Sequence, residues 1–251
     1  MKILLSGDIH SRVWALDRVM YRAEAERVEA VFFLGDFGWD FSPHLVNTAS
    51  LWYEDTGILI YFIDGNHEDF DVLYEYEVGE DGFRTLAEGL KHVPRGTVMN
   101  LDGHNVLLIG GASSIDKMWR TEGSSWWPQE LITQDDVDRA LANCADLEIT
   151  AVFSHEGPML PANSNKTDED LIAYSPALKE DVRISQDQRA KLMRIGSKIK
   201  PKFWYHGHHH TFAKSVMHHG DGECLVQCLA HETSKLDEQT MIIHTEDWYV
   251  L

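Results

Sequence analysis

Asp8, His10, Asp36, Asn66, His67, His155, His208 and His210 each follow a short apolar run and stand beside glycine, serine or another turn former. Asp8 and His10 follow Lys2-Ile3-Leu4-Leu5-Ser6-Gly7, and Asp36 follows Val31-Phe32-Phe33-Leu34-Gly35. Asn66 and His67 close the run 58 to 65, His155 the run 149 to 154, and His208 and His210 the run 203 to 207. Carboxylate, carboxamide and imidazole in this mixture suit a pair of borderline divalent ions better than they suit a nucleophilic triad.

Such residues act together only if the elements carrying them converge. The five apolar runs read as buried strands. If they lie parallel in one sheet, their C-terminal ends share the edge at which open α/β sheets bind ligands. The spacing predicts amphipathic helices over residues 13 to 28 and 42 to 53, which gives β-α-β-α-β and a mostly parallel sheet with right-handed crossovers. Further on, 69 to 77 is expected to be helical. Residues 91 to 93, 97 to 101 and 105 to 109 are expected to be strands, with Asp102-Gly103 at a hairpin turn. Residues 111 to 128 form a glycine- and tryptophan-rich loop holding Trp119, Trp126 and Trp127, and a long loop in a compact domain is usually functional. Thr133 is a candidate N-cap for a helix over 133 to 144. Residues 156 to 183, polar and punctuated by Pro158, Pro161 and Pro176, read as a surface excursion that could serve as a lid, returning as a helix over 185 to 199. The tail offers strands near 203 to 205, 211 to 217, 223 to 229, 240 to 244 and 248 to 250.

Composition narrows the class. The 251 residues suit one domain spanning 1 to 251, and 43% hydrophobic with 25% charged residues is ordinary globular usage. The apolar start is too short for a signal peptide or a membrane helix, so a cytoplasmic location is the expectation. Cys144, Cys224 and Cys228 form no CxxC pair and support neither a disulfide framework nor a zinc knuckle. The formal net charge of −19 disfavours long duplex nucleic acid as a partner.

Gly7-Asp8-Ile9-His10, Gly35-Asp36, Gly65-Asn66-His67-Glu68, Ser154-His155 and Gly207-His208-His209-His210, in this order across about residues 4 to 210, resemble the five motifs of calcineurin-like metallophosphoesterases. The resemblance implies an α/β fold, a four-layer α/β/β/α sandwich of two mixed sheets flanked by helices, with two metal ions on one edge. Carried over motif by motif, Asp8, His10 and His210 hold one ion, Asn66, His155 and His208 the other, and Asp36 bridges them. A bridging group needs two oxygens, which Asp36 supplies, and neutral imidazoles leave the ions Lewis acidic. In an extended segment His208 and His210 point to one side and His209 to the other. A water or hydroxide held between ions roughly 3.5 Å apart becomes the nucleophile for in-line attack on phosphorus. His67 is the expected general acid for the leaving alkoxide, oriented by Glu68 or Asp69.

The second motif departs from the Ser/Thr protein phosphatase branch, whose pattern resembles GDxVDRG, because this chain reads Gly35-Asp36-Phe37-Gly38-Trp39-Asp40 and lacks the phosphate-clamping arginine. Arg120 is the candidate replacement, since a guanidinium fork matches phosphate oxygens, and Arg12 ranks below it. Trp126 stacks on an aromatic leaving group or packs the loop on the sheet edge. That loop resembles one in phosphoesterases common in actinobacteria and their phages. The expected function is therefore hydrolysis of a phosphomonoester or phosphodiester, the substrate being the one partner implied. Manganese or iron (Fe2+/Fe3+) is favoured, zinc is allowed, and magnesium is disfavoured by the imidazole-rich set. The alternatives are a metal-dependent nuclease or cyclic-nucleotide phosphodiesterase, and a non-enzymatic scaffold that retains the fold.

Overall fold

In the computed structural model, residues 1–162, 164, 167–220, 222–246 and 248–250 are described. The first sheet is built from β1 (Lys2–Ser6), β2 (Ala30–Leu34), β3 (Leu59–Ile63), β4 (Arg84–Ala87), β5 (Leu90–His92), β12 (Thr240–His244) and β13 (Tyr249–Val250). Its order is β13-β12-β1-β2-β3-β5-β4. The second, ordered β10-β11-β9-β8-β7-β6, is built from β6 (Thr97–Leu101), β7 (His104–Ile109), β8 (Ile149–Ser154), β9 (Phe203–His206), β10 (Ala213–His219) and β11 (Gly222–Cys228). Each sheet has four parallel strands at its centre and antiparallel strands at its margins.

Three apolar layers hold the sandwich together. Helices α1 (Val13–Ala25), α2 (Pro43–Thr56) and α3 (Phe70–Glu75) cover the outer face of the first sheet; Leu16, Val19 and Met20 of α1 meet Val31, Phe33 and Phe62 there. The sheets close on each other through Leu5, Phe32, Phe153 and Tyr205. On the far side α4 (Gln134–Asn143) and α6 (Lys179–Ile199) pack Val137, Leu192 and Ile195 against Val152 and Trp204. Each fully buried large apolar side chain contributes roughly 1.5–3 kcal/mol relative to exposure. Two short helices, α5 (Asp168–Tyr174) and α7 (Leu236–Gln239), are the remaining α-helices among the described residues.

The four-layer α/β/β/α architecture is as expected, and several local features follow the residues that suggested them. Ser42 caps α2 ahead of Pro43, Thr133 and Asp136 form a capping box on α4, and Asp102 and Gly103 turn between β6 and β7 with φ of 50° and 86°. Two expectations change. The five motif-bearing strands do not share one sheet: β1, β2 and β3 lie in the first, β8 and β9 in the second. Residues 156 to 183 are less irregular than proline content suggests, because α5 forms within them and α6 begins at Lys179, with Val182 buried. Residues 163, 165 and 166 of that excursion fall outside the described set.

Candidate metal centre

The two sheets present the C-terminal ends of their parallel strands to a common rim, and the polar residues just past those ends meet there. Asp36 is the hub. Its Oδ1 accepts the backbone N–H of Asn66 and of His67, both at 2.9 Å, which occupies both lone pairs. Its Oδ2 lies 3.4 Å from His10 Nε2 and 3.3 Å from His155 Nε2. The sequence suggested that a bridge would use both carboxylate oxygens; here one oxygen is spent on the backbone and the other is shared.

Around Asp36 the expected residues fall into two groups. Asp8, His10, Asp36 and His210 each offer a ligand atom, all within 4.8 Å of one another, and His210 Nε2 lies 3.0 Å from Asp8 Oδ2. In the other group, Asn66 Oδ1 lies 3.1 Å from His155 Nε2, and the His208 ring centres 5.0 Å from that of His155. The extended alternation expected of residues 208 to 210, with His208 and His210 on one side, does not form, since β9 ends at His206 and both residues take left-handed backbone, φ 66° and 52°. His10 and Asp36 are also left-handed, φ 46° and 51°. Non-glycine residues rarely adopt this conformation, and such strain clusters at functional sites.

The tautomers suit cation binding. His155 Nδ1 donates to Leu34 O at 2.7 Å and His10 Nδ1 to Glu232 Oε2 at 2.8 Å, which turns both Nε2 atoms toward Asp36. Asn66 Nδ2 donates to Ser114 Oγ, which donates to Glu130 Oε2, so the carboxamide presents its oxygen to His155. Without metal the charges answer one another. Against burial, His155, His67 and His10 hold the Asp36 carboxyl well below its usual range. Asp8, also buried, is drawn down to about 2 by His210 and His155. Against the same burial penalty, Asp36 and Glu232 raise His10 to about 11, and Asp36 raises His155 to about 10. Burial pushes His208 down to about 3. Two carboxylates and several imidazoles aimed at one small volume are a donor set that fits borderline divalent ions.

The groups around the cluster take tasks that the sequence does not display. Glu68, buried, accepts the N–H of Gly65 and of Phe37 and so stitches the second motif to the third; it does not orient His67. Asp69 caps α3 instead. His209 turns away from the cluster and bonds Glu156 at 2.8 Å. Glu232 and His231, whose ring centres 4.5 Å from that of His210, follow β11 in the manner of the other motifs, so the run 224 to 230 ending in His231-Glu232 carries a readable signal.

Glu130 supplies a pH test. Burial pushes its carboxyl up to about 7, against the Ser114 hydrogen bonds that pull it down. Between its ordinary value of 4.5 and about 7 the folded chain binds the extra proton, so this group's contribution to stability falls as pH rises, by at most about 3 kcal/mol. Asp8 acts in the opposite sense and lower, its contribution present above 3.8 and lost as pH falls toward 2. Because His10, His155 and His208 titrate alike in both proteins, the test is the difference: in urea unfolding in chelator from pH 4.5 to 7, the stability of wild type relative to Glu130→Gln should fall as pH rises. Parallel profiles would refute the assignment.

His67 lies beside the centre. Its pKa is lowered by burial, with the Arg120 charge adding to the shift and Asp36 opposing it. The Arg120 guanidinium lies 3.1 and 3.2 Å from the two ring nitrogens and is itself held by both Asp116 oxygens. The two ring nitrogens diverge, so one planar group cannot donate to both in plane; the guanidinium lies against the ring. Arg12 is exposed, 5.9 Å from the Trp39 ring centre. Of the two readings of Trp126, packing describes it and stacking does not: it is 6% exposed, covered by Lys117 at 3.9 Å, and does not line the cleft. The tryptophan at the site is Trp39, which follows the second motif, 44% exposed and 5.8 Å from His67. A cleft of about 490 Å³ opens over Asp36, Asn66, His67, Arg120, His208 and His210.

With this geometry in place, comparison with known proteins is informative. A family model described as calcineurin-like phosphoesterase matches residues 1–212. The lariat debranching enzyme of Schizosaccharomyces pombe is 24% identical over 243 residues, covering 89% of this chain and 51% of the relative. The chain thus spans about half the length of the curated relative it matches. Among solved structures, TT1561 of Thermus thermophilus superposes with a TM-score of 0.59 at 12% identity, over 100% of this chain and 96% of that one. GAP50, the anchor in the inner membrane complex of Plasmodium, superposes with 0.54 at 10% identity, over 96% and 80%. At these identities the two structures speak for the fold alone.

Proposed function

The chain belongs to the calcineurin-like phosphoesterase family, and we propose that it hydrolyses a phosphomonoester or phosphodiester of small to medium size using two divalent ions held about Asp36. The observation that carries the reading is Asp36 Oδ2, which lies 3.4 Å from the Nε2 atom of His10 and 3.3 Å from that of His155. In this reading Asp8, His10 and His210 hold one ion, and Asn66, His155 and His208 hold the other. Manganese or iron is the best match to the imidazole-rich set, with zinc next. Bound there, the ions would supply Lewis acidity toward the phosphoryl oxygens and acidify a water for attack on phosphorus.

The chain's own groups do the rest. Arg120, preorganised by Asp116, supplies a guanidinium edge for a phosphoryl oxygen. His67, packed against that guanidinium, holds at a ring nitrogen the proton that the leaving oxygen takes up. Glu68 and Asp36 fix the backbone of the turn that carries Asn66 and His67, so neither has to be ordered when substrate arrives. A scaffold that had lost the chemistry would have no use for all seven ligand positions together with His67. No helix among the described residues is long and apolar enough to cross a membrane.

The test is direct: protein loaded with two equivalents of manganese is assayed on p-nitrophenyl phosphate and bis-p-nitrophenyl phosphate. Hydrolysis of at least one is expected. Turnover of neither, by protein shown to hold both ions, would overturn the enzymatic reading.

A further inference from the structure

The region over Asp36 is flanked by two cavities. The larger, about 490 Å³, runs from the histidine cluster toward Asp168, Ser185 and Arg189. Arg189 is 8% exposed, and its guanidinium is fixed by Asp168 Oδ2 at 2.6 Å and Ser185 Oγ at 2.7 Å, so it enters the cleft preorganised. The smaller, about 240 Å³, lies between Trp39 and Trp127, with Ser124 and Ser125 at its side. His67 and Arg120 line both cavities and so stand at the boundary between them.

That arrangement bears on how many substituents the phosphorus carries. A phosphomonoester has one carbon-bearing arm and fills one cavity; a phosphodiester has two and can fill both. The group that protonates a leaving oxygen must lie on the leaving side, and although His67 lines both cavities, its ring is paired with Trp39 of the aromatic one at 5.8 Å. Trp39 is the feature there that core packing does not explain. It is 44% exposed, its ring centres 5.8 Å from His67 and 6.0 Å from His10, and its backbone N–H is pinned by Ser11 Oγ at 2.5 Å. Trp127 differs, being buried with its indole N–H on Asp71. A half-exposed indole held at the mouth of a cavity is a platform for a planar ring, and the cavity is the size for one.

We propose that the substrate is a phosphodiester whose leaving nucleoside sits in the smaller cavity with its base on Trp39, while the retained half lies in the larger cleft toward Arg189. This rests on the phosphoesterase reading above. In the reaction a water oxygen bonds to phosphorus and releases one proton to solvent, the P–O bond to the leaving nucleoside breaks with its electron pair on the leaving oxygen, and the leaving oxygen takes a proton from His67, which solvent restores, giving an alcohol and a phosphomonoester. The nucleoside monophosphate product has lost the arm that filled the aromatic cavity, so it binds through fewer contacts than the diester.

The experiment uses the full manganese-loaded chain with adenylyl-adenosine, adenosine monophosphate and p-nitrophenyl phosphate. Wild type should favour the dinucleotide over the monoester by about 100-fold in kcat/KM, remote contacts being used in the transition state. Trp39→Ala should raise KM for the dinucleotide about tenfold, with kcat within about threefold, and Trp39→Phe should recover most of the loss, as a stacking contact requires. Equal or better hydrolysis of the monoester, or Ala and Phe variants that behave alike, would overturn the proposal. Turnover of p-nitrophenyl phosphate without the dinucleotide defeats this inference alone. Turnover of none of the three defeats the phosphoesterase reading and this inference with it.

Discussion

Asp36→Asn should lower phosphoester hydrolysis by at least about a thousandfold, the several kcal/mol that an assembled metal pair supplies. The substitution is nearly isosteric. Asparagine keeps an oxygen for the N–H groups of Asn66 and His67, so the two turns stay joined. What changes is the atom facing His10 Nε2 and His155 Nε2: an acceptor able to be shared between cations becomes an amide donor. The expected variant is folded, shows wild-type circular dichroism, and hydrolyses p-nitrophenyl esters at or near background in manganese. Activity within tenfold of wild type would mean that Asp36 is not the hub of the chemistry.

Gly65→Ala should cost both stability and metal binding. A Cβ at this position would meet Asp36 Oδ1 at 2.2 Å, the Asp36 backbone nitrogen at 2.6 Å and His155 Nε2 at 2.7 Å. None of these can withdraw freely: the carboxylate is fixed by two N–H groups, the nitrogen is backbone, and His155 is tied to Leu34 O. Overpacking of this kind costs roughly 1–3 kcal/mol, and each kcal/mol lowers Tm by roughly 2–4 °C in a chain of this length. The relief available is to push Asp36 and His155 apart, which separates two of the residues that would hold the ions. Gly79→Ala is the contrast, since its Cβ would meet the exposed Asp81 side chain at 3.0 Å and little else. Thermal unfolding in chelator and manganese titration should both separate the two variants. A Gly65→Ala protein that melts with wild type and binds manganese as tightly would contradict the close-approach argument.

The positions that meet around Asp36 are legible because their signal is local: an apolar run, a turn former, then an oxygen or imidazole donor. The same local character explains what was missed. Whether β8 joins β3 in one sheet or faces it from another leaves no mark on the apolar run 149 to 154, which is buried either way. Strand alternation would place His208 and His210 on one side of an extended segment, whereas both lie past the end of β9 in left-handed backbone, which residue type alone does not announce. Nothing in Trp39 and Trp126 as residues says which is presented and which is packed, since that depends on Lys117 covering one and the second motif carrying the other to the rim. Glu68 was visible but given the wrong task, because its hydrogen bonds run to backbone N–H groups that sequence does not display. Glu232 obeys the very pattern that revealed the others, past the end of β11, yet it lies beyond the residues that the motif order spans.

Crystals of the full chain grown or soaked in manganese, with anomalous diffraction recorded, examine the central claim most directly. Two anomalous peaks are predicted, roughly 3.5–4 Å apart on either side of Asp36 Oδ2. One should be ligated by Asp8, His10 and His210, the other by Asn66, His155 and His208. A single peak, or strong peaks remote from Asp36 with none beside it, would contradict the account.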